Sequence, residues 1–193
     1  MINLKDRNII LASQSPRRQE LIKGLDIDFT IRTADIDEHF PDDLIKEEIP
    51  LFLANEKAKA MLSGLSEKDI LITADTIVWI NGKAVNKPQN RNDAFRMILD
   101  LSGKQHTVYT GVQLTTLKEK KSFFAETKVT FSLLEESEIN YYIDKYKPFD
   151  KAGAYGIQEW IGYIGIEKIE GSYFNVMGFP LHLVYKNIKE LLS

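Results

Sequence analysis

Hydrophobic residues along the chain follow two patterns, short apolar runs and helical stripes. The runs at 8–12 and 69–74 are largely apolar, which is typical of strands that are buried on both faces. A helix is predicted to begin at Pro16, because proline suits the first helical position and Ser15 before it is a good N-cap. Its apolar stripe continues at Leu21, Ile22 and Leu25.

Helices and strands then alternate along the rest of the chain. The same patterns predict helices at 47–61, 92–101, 135–146 and 181–192, and strands at 29–33, 76–80, 107–117 and 122–133. Turns are expected at Asn81-Gly82 and at 118–121. Hairpins mixed with helices favour an α/β (mixed α+β) fold with a mixed sheet over a regular doubly wound one. No repeat or Pro/Gly-rich linker interrupts the pattern, so residues 1–193 are expected to form a single domain.

Composition and charge narrow the class of protein. The net charge of −3 argues against a sequence-independent nucleic-acid binder, which is usually basic. The chain has no cysteine, which excludes disulfides and cysteine-based zinc sites. No apolar run reaches the roughly 18 residues of a membrane helix, and the first residues lack the pattern of a signal peptide. A cytoplasmic location without membrane attachment is therefore expected.

The three histidines show no metal-ligand spacing and are expected to be structural or exposed (His39, His106, His182).

The first candidate for chemistry joins the first predicted strand to the helix at Pro16. Backbone N–H groups at a helix start favour an anion, hydroxyl groups add donors, and guanidinium groups suit phosphate. An equally plain interpretation is a capped surface helix whose arginines are solvated. The residues are Ser13, Gln14, Ser15, Pro16, Arg17 and Arg18.

Carboxylates form the second group of candidates. Asp75 ends an apolar strand, where aspartate is rare, and can bind a metal or accept a proton from water. A turn or capping role is the alternative. The acidic segment Asp35-Ile36-Asp37-Glu38 could bind a hard cation or form a solvated loop. It could also be the Asp-x-Asp of a haloacid-dehalogenase-type phosphatase, although His39 stands where that pattern expects Thr or Val.

Two lysines and a glycine-rich segment complete the candidates. Lys57 lies in a predicted helix and Lys87 precedes Pro88; each could neutralise phosphate charge or be an ordinary surface lysine. In the segment 150–158, two glycines allow a close approach of a ligand to the backbone. Gln158 offers a donor and an acceptor that suit a uracil or thymine edge, or it could simply bond to the backbone.

Together these segments resemble the Maf family of nucleotide pyrophosphatases over nearly the whole chain. The likeness begins at residues 11–18 and continues through Asp37-Glu38, 54–58, 74–76, 86–88, 101–112, 150–158 and 171–181. It implies an elongated mixed β-sheet flanked by helices, with two lobes around a central cleft, as in inosine triphosphatase-like folds. It also implies hydrolysis of a nucleoside triphosphate between the α and β phosphates, with Mg²⁺ or Mn²⁺ required, and a homodimer.

The resemblance also implies roles for single residues. The proton acceptor of the family matches Asp75. The phosphate-side and metal-side positions match Ser13, Arg18, Glu38, Lys57 and Lys87. From these residues we expect the triphosphate to dock at 15–18 and the cation to be held by Glu38, with Asp75 as a second ligand.

Three positions distinguish the branches of the family. The branch that prefers dTTP and UTP carries Arg, Thr and Gln, which here are Arg17, Thr76 and Gln158. The resemblance therefore implies a pyrimidine substrate, with CTP and modified pyrimidine nucleotides as further candidates. Two positions depart from the usual glycine of the family, Asn86 and Glu159, and the second places an acidic side chain beside the expected base pocket. The alternatives are a pyrophosphatase for 7-methyl-GTP or another modified nucleotide, and a non-catalytic regulator of septum formation.

Overall fold

Seven strands and seven α-helices form the regular structure of the residues that the computed structural model describes, which are 4–33, 36 and 38–193. The strands are β1 (Asn8–Leu11), β2 (Phe29–Ile31), β3 (Asp69–Ile80), β4 (Lys83–Val85), β5 (Gln105–Thr115), β6 (Lys120–Phe131) and β7 (Ile166–Glu170). The helices are α1 (Pro16–Lys23), α2 (Glu48–Lys59), α3 (Arg91–Leu101), α4 (Glu136–Tyr146), α5 (Trp160–Gly165), α6 (Tyr173–Val176) and α7 (Leu181–Leu191). Short 3-10 helices occur at Leu62–Gly64 and Ala152–Ala154. None of the described helices is long and apolar enough to cross a membrane.

The strands form one mixed sheet. Their order is β2-β1-β3-β5-β6-β7, with β4 paired to β3. Strand β1 runs parallel to both β2 and β3, whereas the β3–β4 and β6–β7 pairs are antiparallel. The mixed α/β fold class predicted from the sequence is therefore confirmed.

Most predicted elements occur within a few residues of their expected limits, and the differences have simple causes. The runs on either side of Asp75 form a single strand, β3, because Asp75 continues the extended backbone instead of ending it. The short elements α5, β7 and α6 were not predicted, since each spans too few residues to show a period.

The chain divides into two compact units. The first comprises the described parts of Met1–Asp75 with Thr110–Ala125 and Gly178–Ser193, and the second comprises Thr76–Tyr109 and Glu126–Met177. The expectation of one domain over 1–193 stays a prediction.

In the first unit, helix α2 is fixed closely against the strands. The buried Thr73 hydroxyl of β3 donates to the Ala54 carbonyl of α2 at 2.7 Å. Gly111 of β5 faces the same helix, and a Cβ there would lie 2.5 Å from the Leu51 nitrogen. Because real Cβ contacts are never this short, glycine is required for α2 to pack at this distance.

The second unit has its own apolar core, which surrounds one buried histidine. The His106 side chain is 2% exposed, its Nε2 lies 2.7 Å from the Tyr155 hydroxyl, and its ring meets Phe131 edge to face. Burial lowers the pKa of His106 from 6.5 to about 4, so the neutral ring is the form that the core accepts.

We expect this histidine to make the second unit acid-sensitive. Its pKa is lower in the folded than in the unfolded chain, so the unfolded state binds more protons between pH 6.5 and about 4. The free energy of unfolding should therefore fall by about 3 kcal/mol more in the wild type than in His106→Gln as the pH drops from 7 to 4. Urea denaturation across this range measures it. The same substitution at the exposed His182 is the control, and equal pH slopes for wild type and His106→Gln would refute the assignment.

Candidate active site

The candidate site of the first unit begins where two parallel strands leave their pairing. Leu11 of β1 pairs with Ile72 of β3, and the Ala12 N–H still donates to the Ile72 carbonyl at 2.8 Å. Ser13 and Asp75 follow just beyond this point and are 7% and 9% exposed. Ser13 follows the end of β1, whereas Asp75 lies inside β3, past the last residue that pairs with β1.

Helix α1 begins a short distance along the chain after β1. Ser15 is its N-cap and Pro16 its first residue, as the sequence predicts. The Ser15 N–H donates to the Ser13 hydroxyl at 3.2 Å, which folds the segment between strand and helix into a tight turn. The Ser15 side chain makes no capping hydrogen bond to the described helix backbone, so its hydroxyl remains available to an anion at the helix start.

Arg18 is anchored by the backbone of this unit. Its Nε donates to the Gly178 carbonyl and its Nη1 to the Ala74 carbonyl, both at 2.8 Å. Burial lowers the pKa of this guanidinium, whereas the nearby charges of Asp75 and Glu38 act in the opposite direction. The positive charge of Arg17 also lowers the pKa of Arg18, so the two guanidinium groups are close enough to interact.

Lys57 of α2 joins the two carboxylates. Its Nζ lies 2.5 Å from Asp75 Oδ1 and 3.0 Å from Glu38 Oε1. The Lys57 and Asp75 side chains are 16% and 12% exposed, whereas that of Glu38 is 43% exposed. One ammonium therefore bridges a buried and a half-exposed carboxylate, an arrangement that keeps both acids together without mutual repulsion.

This pair of carboxylates suits a hard divalent cation. One oxygen of each acid already contacts the same positive group, the Lys57 ammonium. Mg²⁺ is commonly held by one or two carboxylates together with substrate phosphates and water. The described residues contain no group of three or more His, Asp or Glu side chains that could hold a metal ion. Asp35 and Asp37 of the predicted acidic segment lie outside the described residues.

The remaining predicted site residues belong to the second unit. Thr76 follows Asp75 within β3 and is half-buried, and Lys87 follows β4 in an exposed segment. The Asn86 carbonyl accepts a hydrogen bond from the Gly153 N–H at 3.1 Å, which ties the Lys87 segment to the glycine-rich segment that carries Gln158. Gln158 Oε1 is buried and, among the described residues, has no hydrogen-bond partner.

Three residues near Gln158 were not assigned from the sequence. The Glu159 carboxylate contacts the Tyr142 hydroxyl and the Lys151 ammonium. The apolar face of α4 gave the only signal for Tyr142, because a buried tyrosine usually needs a partner for its hydroxyl.

Comparisons with known proteins find relatives over nearly the whole chain. A family model described as Maf-like protein matches residues 8–191. A Bacteroides fragilis protein named dTTP/UTP pyrophosphatase is 55% identical over 192 residues, which cover 99% of this chain and 100% of that relative. Its counterpart of the same name in Bacteroides thetaiotaomicron is 53% identical over 190 residues, 98% of each chain. Among solved structures, the Staphylococcus aureus Ham1 protein covers 94% of this chain and 98% of its own at 15% identity, but its TM-score of 0.48 is too low to support a conclusion.

The anchoring of Arg18 leads to a prediction about stability. Lysine cannot reproduce the two bonds of the guanidinium fork, so Arg18→Lys should lose the hydrogen bond to the Ala74 or to the Gly178 carbonyl. We expect the free energy of unfolding to fall by about 1–3 kcal/mol, the usual contribution of a hydrogen bond to a charged group. Urea denaturation measures this loss. The exposed Arg96→Lys, expected within about 0.5 kcal/mol of wild type, is the matched control. Equal stability of the two variants would contradict the anchoring role.

Proposed function

Since the chain belongs to the Maf family, we propose that it hydrolyses dTTP and UTP, each to the nucleoside monophosphate and pyrophosphate. The observation that carries this proposal is the Lys57 bridge between Asp75 and Glu38, close enough to Arg18 to affect its pKa. CTP and modified pyrimidine nucleotides are secondary substrates in this proposal. The protein acts in the cytoplasm, as a homodimer, without nucleic acid or membrane as a partner.

The phosphate chain is bound by cations and N–H groups. The first turn of α1, with Ser13, Ser15 and Arg17, receives phosphate oxygens, because a helix start presents backbone N–H groups and a positive dipole end. Arg18 keeps this turn in place through its two carbonyl contacts and adds positive charge. Lys57 and Lys87 neutralise the β and γ phosphates.

Glu38 and Asp75 would hold the divalent cation, Mg²⁺ or Mn²⁺. When bound, the ion neutralises charge on the phosphate oxygens and so favours departure of pyrophosphate. The oxygen chemistry of both carboxylates and their shared cationic contact support this assignment.

Asp75 orients a water molecule and accepts its proton. The water oxygen forms a bond to the α phosphorus while the bond from that phosphorus to the α–β bridging oxygen breaks, and this oxygen leaves as part of pyrophosphate. The Lys57 ammonium, 2.5 Å from Asp75 Oδ1, fixes the position of the carboxylate that takes this proton. No covalent intermediate is needed.

Gln158 reads the base, and Thr76 and Arg17 complete the pyrimidine specificity. Uracil and thymine present an N3–H donor between two carbonyl acceptors. The unpartnered, buried Oε1 of Gln158 can accept that N3–H, and its amide nitrogen can donate to the neighbouring carbonyl. A buried acceptor left unpaired is costly, so satisfying it on binding contributes to affinity.

The proposal is tested by assaying purified protein with canonical, modified and 7-methylated nucleoside triphosphates, with Mg²⁺, Mn²⁺ or chelator. Both phosphate products are scored. We expect pyrophosphate release from dTTP and UTP that chelator abolishes. Asp75→Asn should lower turnover by about 10²–10⁴-fold, the usual contribution of a positioned base.

Asp93→Asn, which alters a half-buried carboxylate that accepts from the Gln89 N–H at the start of α3, is the control for that assay. Each rival function has its own outcome. Inorganic phosphate instead of pyrophosphate would indicate a phosphatase, preference for 7-methyl-GTP would indicate the other branch, and no release from any nucleotide would favour a regulator. Wild-type turnover in folded Asp75→Asn would remove Asp75 from the role of base.

Gln158→Glu provides a separate prediction about specificity. Glutamate keeps the acceptor but replaces the donating nitrogen by an oxygen that repels the base carbonyl. We expect kcat/KM for dTTP and UTP to fall by about 10–100-fold, the cost of one lost and one repelled polar contact. CTP, which offers an amino group there, should lose less. A nucleotide panel measures these ratios, with the exposed Gln105→Glu as control; unchanged relative rates would show that Gln158 does not read the base.

A further inference from the structure

We propose that Glu159, Lys151 and Tyr142 act as positioning residues that hold Gln158 in place for a uracil or thymine base. This inference rests on the proposed function and concerns how the same specificity is built. The three residues and Gln158 all belong to the second unit. We call residues 151–159 the base segment.

The ends of the base segment are joined by an ion pair. Lys151 is 8% exposed, and its Nζ lies 3.2 Å from Glu159 Oε1 and 2.8 Å from Asp150 Oδ1. A lysine this deeply buried requires anionic partners, since an unpaired charge would be strongly destabilising. The pair therefore closes the segment on itself and fixes the backbone directly after Gln158.

Helix α4 holds the same segment from outside through a single hydroxyl. The fully buried Tyr142 donates to Glu159 Oε2 and accepts from the Gly156 N–H at 2.9 Å. Burial, followed by the hydrogen bond to Glu159, raises the pKa of this phenol well above its usual range, so it remains a donor. Because α4 is a regular helix in the core, Tyr142 ties the segment to a rigid element.

Close packing leaves the segment little freedom to rearrange. A Cβ at Gly156 would lie 2.8 Å from the carboxylate carbon of Glu159, so only glycine allows the acid to fold back over the segment. The Glu159 N–H also donates to the Gly156 carbonyl at 3.0 Å. Gly156 and Glu159 are thus connected by backbone, by packing and by their common partner Tyr142.

Gln158 lies between these two fixed residues. Its backbone is held on both sides, while its Oε1 is buried and unpartnered among the described residues. Tyr142, Glu159 and Lys151 form hydrogen bonds or ion pairs with one another, and none of these contacts involves Gln158 Oε1. Holding the backbone on both sides of this acceptor reduces the conformational entropy that is lost when it binds a donor, which is how preorganisation increases affinity.

The test compares Tyr142→Phe and Glu159→Gln with the control Tyr146→Phe, which removes a hydroxyl from the ring stacked on Tyr142. We measure kcat and KM for dTTP, UTP and CTP, and the inhibition constant of inorganic tripolyphosphate. Tyr142→Phe should raise KM for dTTP and UTP by about three- to tenfold, as expected for loss of ordering hydrogen bonds, and change kcat by less than about twofold. The preference for UTP over CTP should decrease, and tripolyphosphate inhibition should stay unchanged.

Glu159→Gln should have an intermediate effect, because its amide oxygen still accepts from Tyr142 while the ion pair to Lys151 is lost. This graded series is the rescue that a purely structural role would not produce. If Tyr142→Phe does not fold, Glu159→Gln carries the test alone. Amide hydrogen exchange provides a readout without turnover: exchange in 151–159 should accelerate in Tyr142→Phe and Glu159→Gln but not in Tyr146→Phe.

Two results would overturn the inference. Kinetic constants and exchange equal to those of Tyr146→Phe would show that the network does not hold Gln158. Equal losses for all three nucleotides and for tripolyphosphate would show a general structural role instead. Failure of the proposed function is distinguishable, because it would appear as wild-type protein that releases no pyrophosphate from dTTP or UTP, while hydrogen exchange still tests the network.

Discussion

The candidate site depends on one ammonium group held between two acids. Asp75 and Glu38 come from a strand and a loop that are distant in sequence, and their carboxylates would repel each other without a cation. Lys57 supplies that cation from helix α2. The metal that we propose has to compete with this ammonium for the same carboxylate oxygens. A cation that binds there must therefore interact with Asp75 and Glu38 more strongly than Lys57 does.

The packing of α2 determines where that ammonium lies. Ala54 and Ala58 are fully buried, and the Ala54 carbonyl is bonded to Thr73 of β3. Lys57 is therefore on a turn of helix that is fixed directly to the strand carrying Asp75. The Lys57 and Asp75 side chains are thus positioned by small buried residues of the helix and the strand, which is why the candidate site needs a closely packed scaffold.

The sequence predicted the longer strands, the start of α1 and an acid beside an apolar run, because each has a local signal, although it placed Asp75 at the end of a strand that in fact continues to Ile80. Ser15 and Pro16 mark a helix start, and an aspartate within an apolar run is conspicuous at any position. It could not predict that Lys57 bridges Asp75 and Glu38, since that contact depends on how α2 packs. The partners of Glu159 could not be predicted either. Tyr142 lies in helix α4, and the hydrophobic pattern of a helix does not show which group a tyrosine hydroxyl contacts. Family resemblance supplied the proposed roles of Arg17, Thr76 and Gln158, which local chemistry alone left open.

The missing side chain at Gly111 limits how the family can diverge at this position. The Leu51 nitrogen and the Pro50 carbonyl carbon occupy the space where any β carbon would be, so even alanine is excluded whatever the other residues are. At other packed positions, a larger side chain can be accommodated when a neighbouring side chain becomes smaller. No such compensation is possible at Gly111, because the atoms in the way belong to the backbone. Gly111 therefore cannot be substituted for as long as α2 packs against β5 at this distance. The same constraint holds in a descendant that has lost the activity.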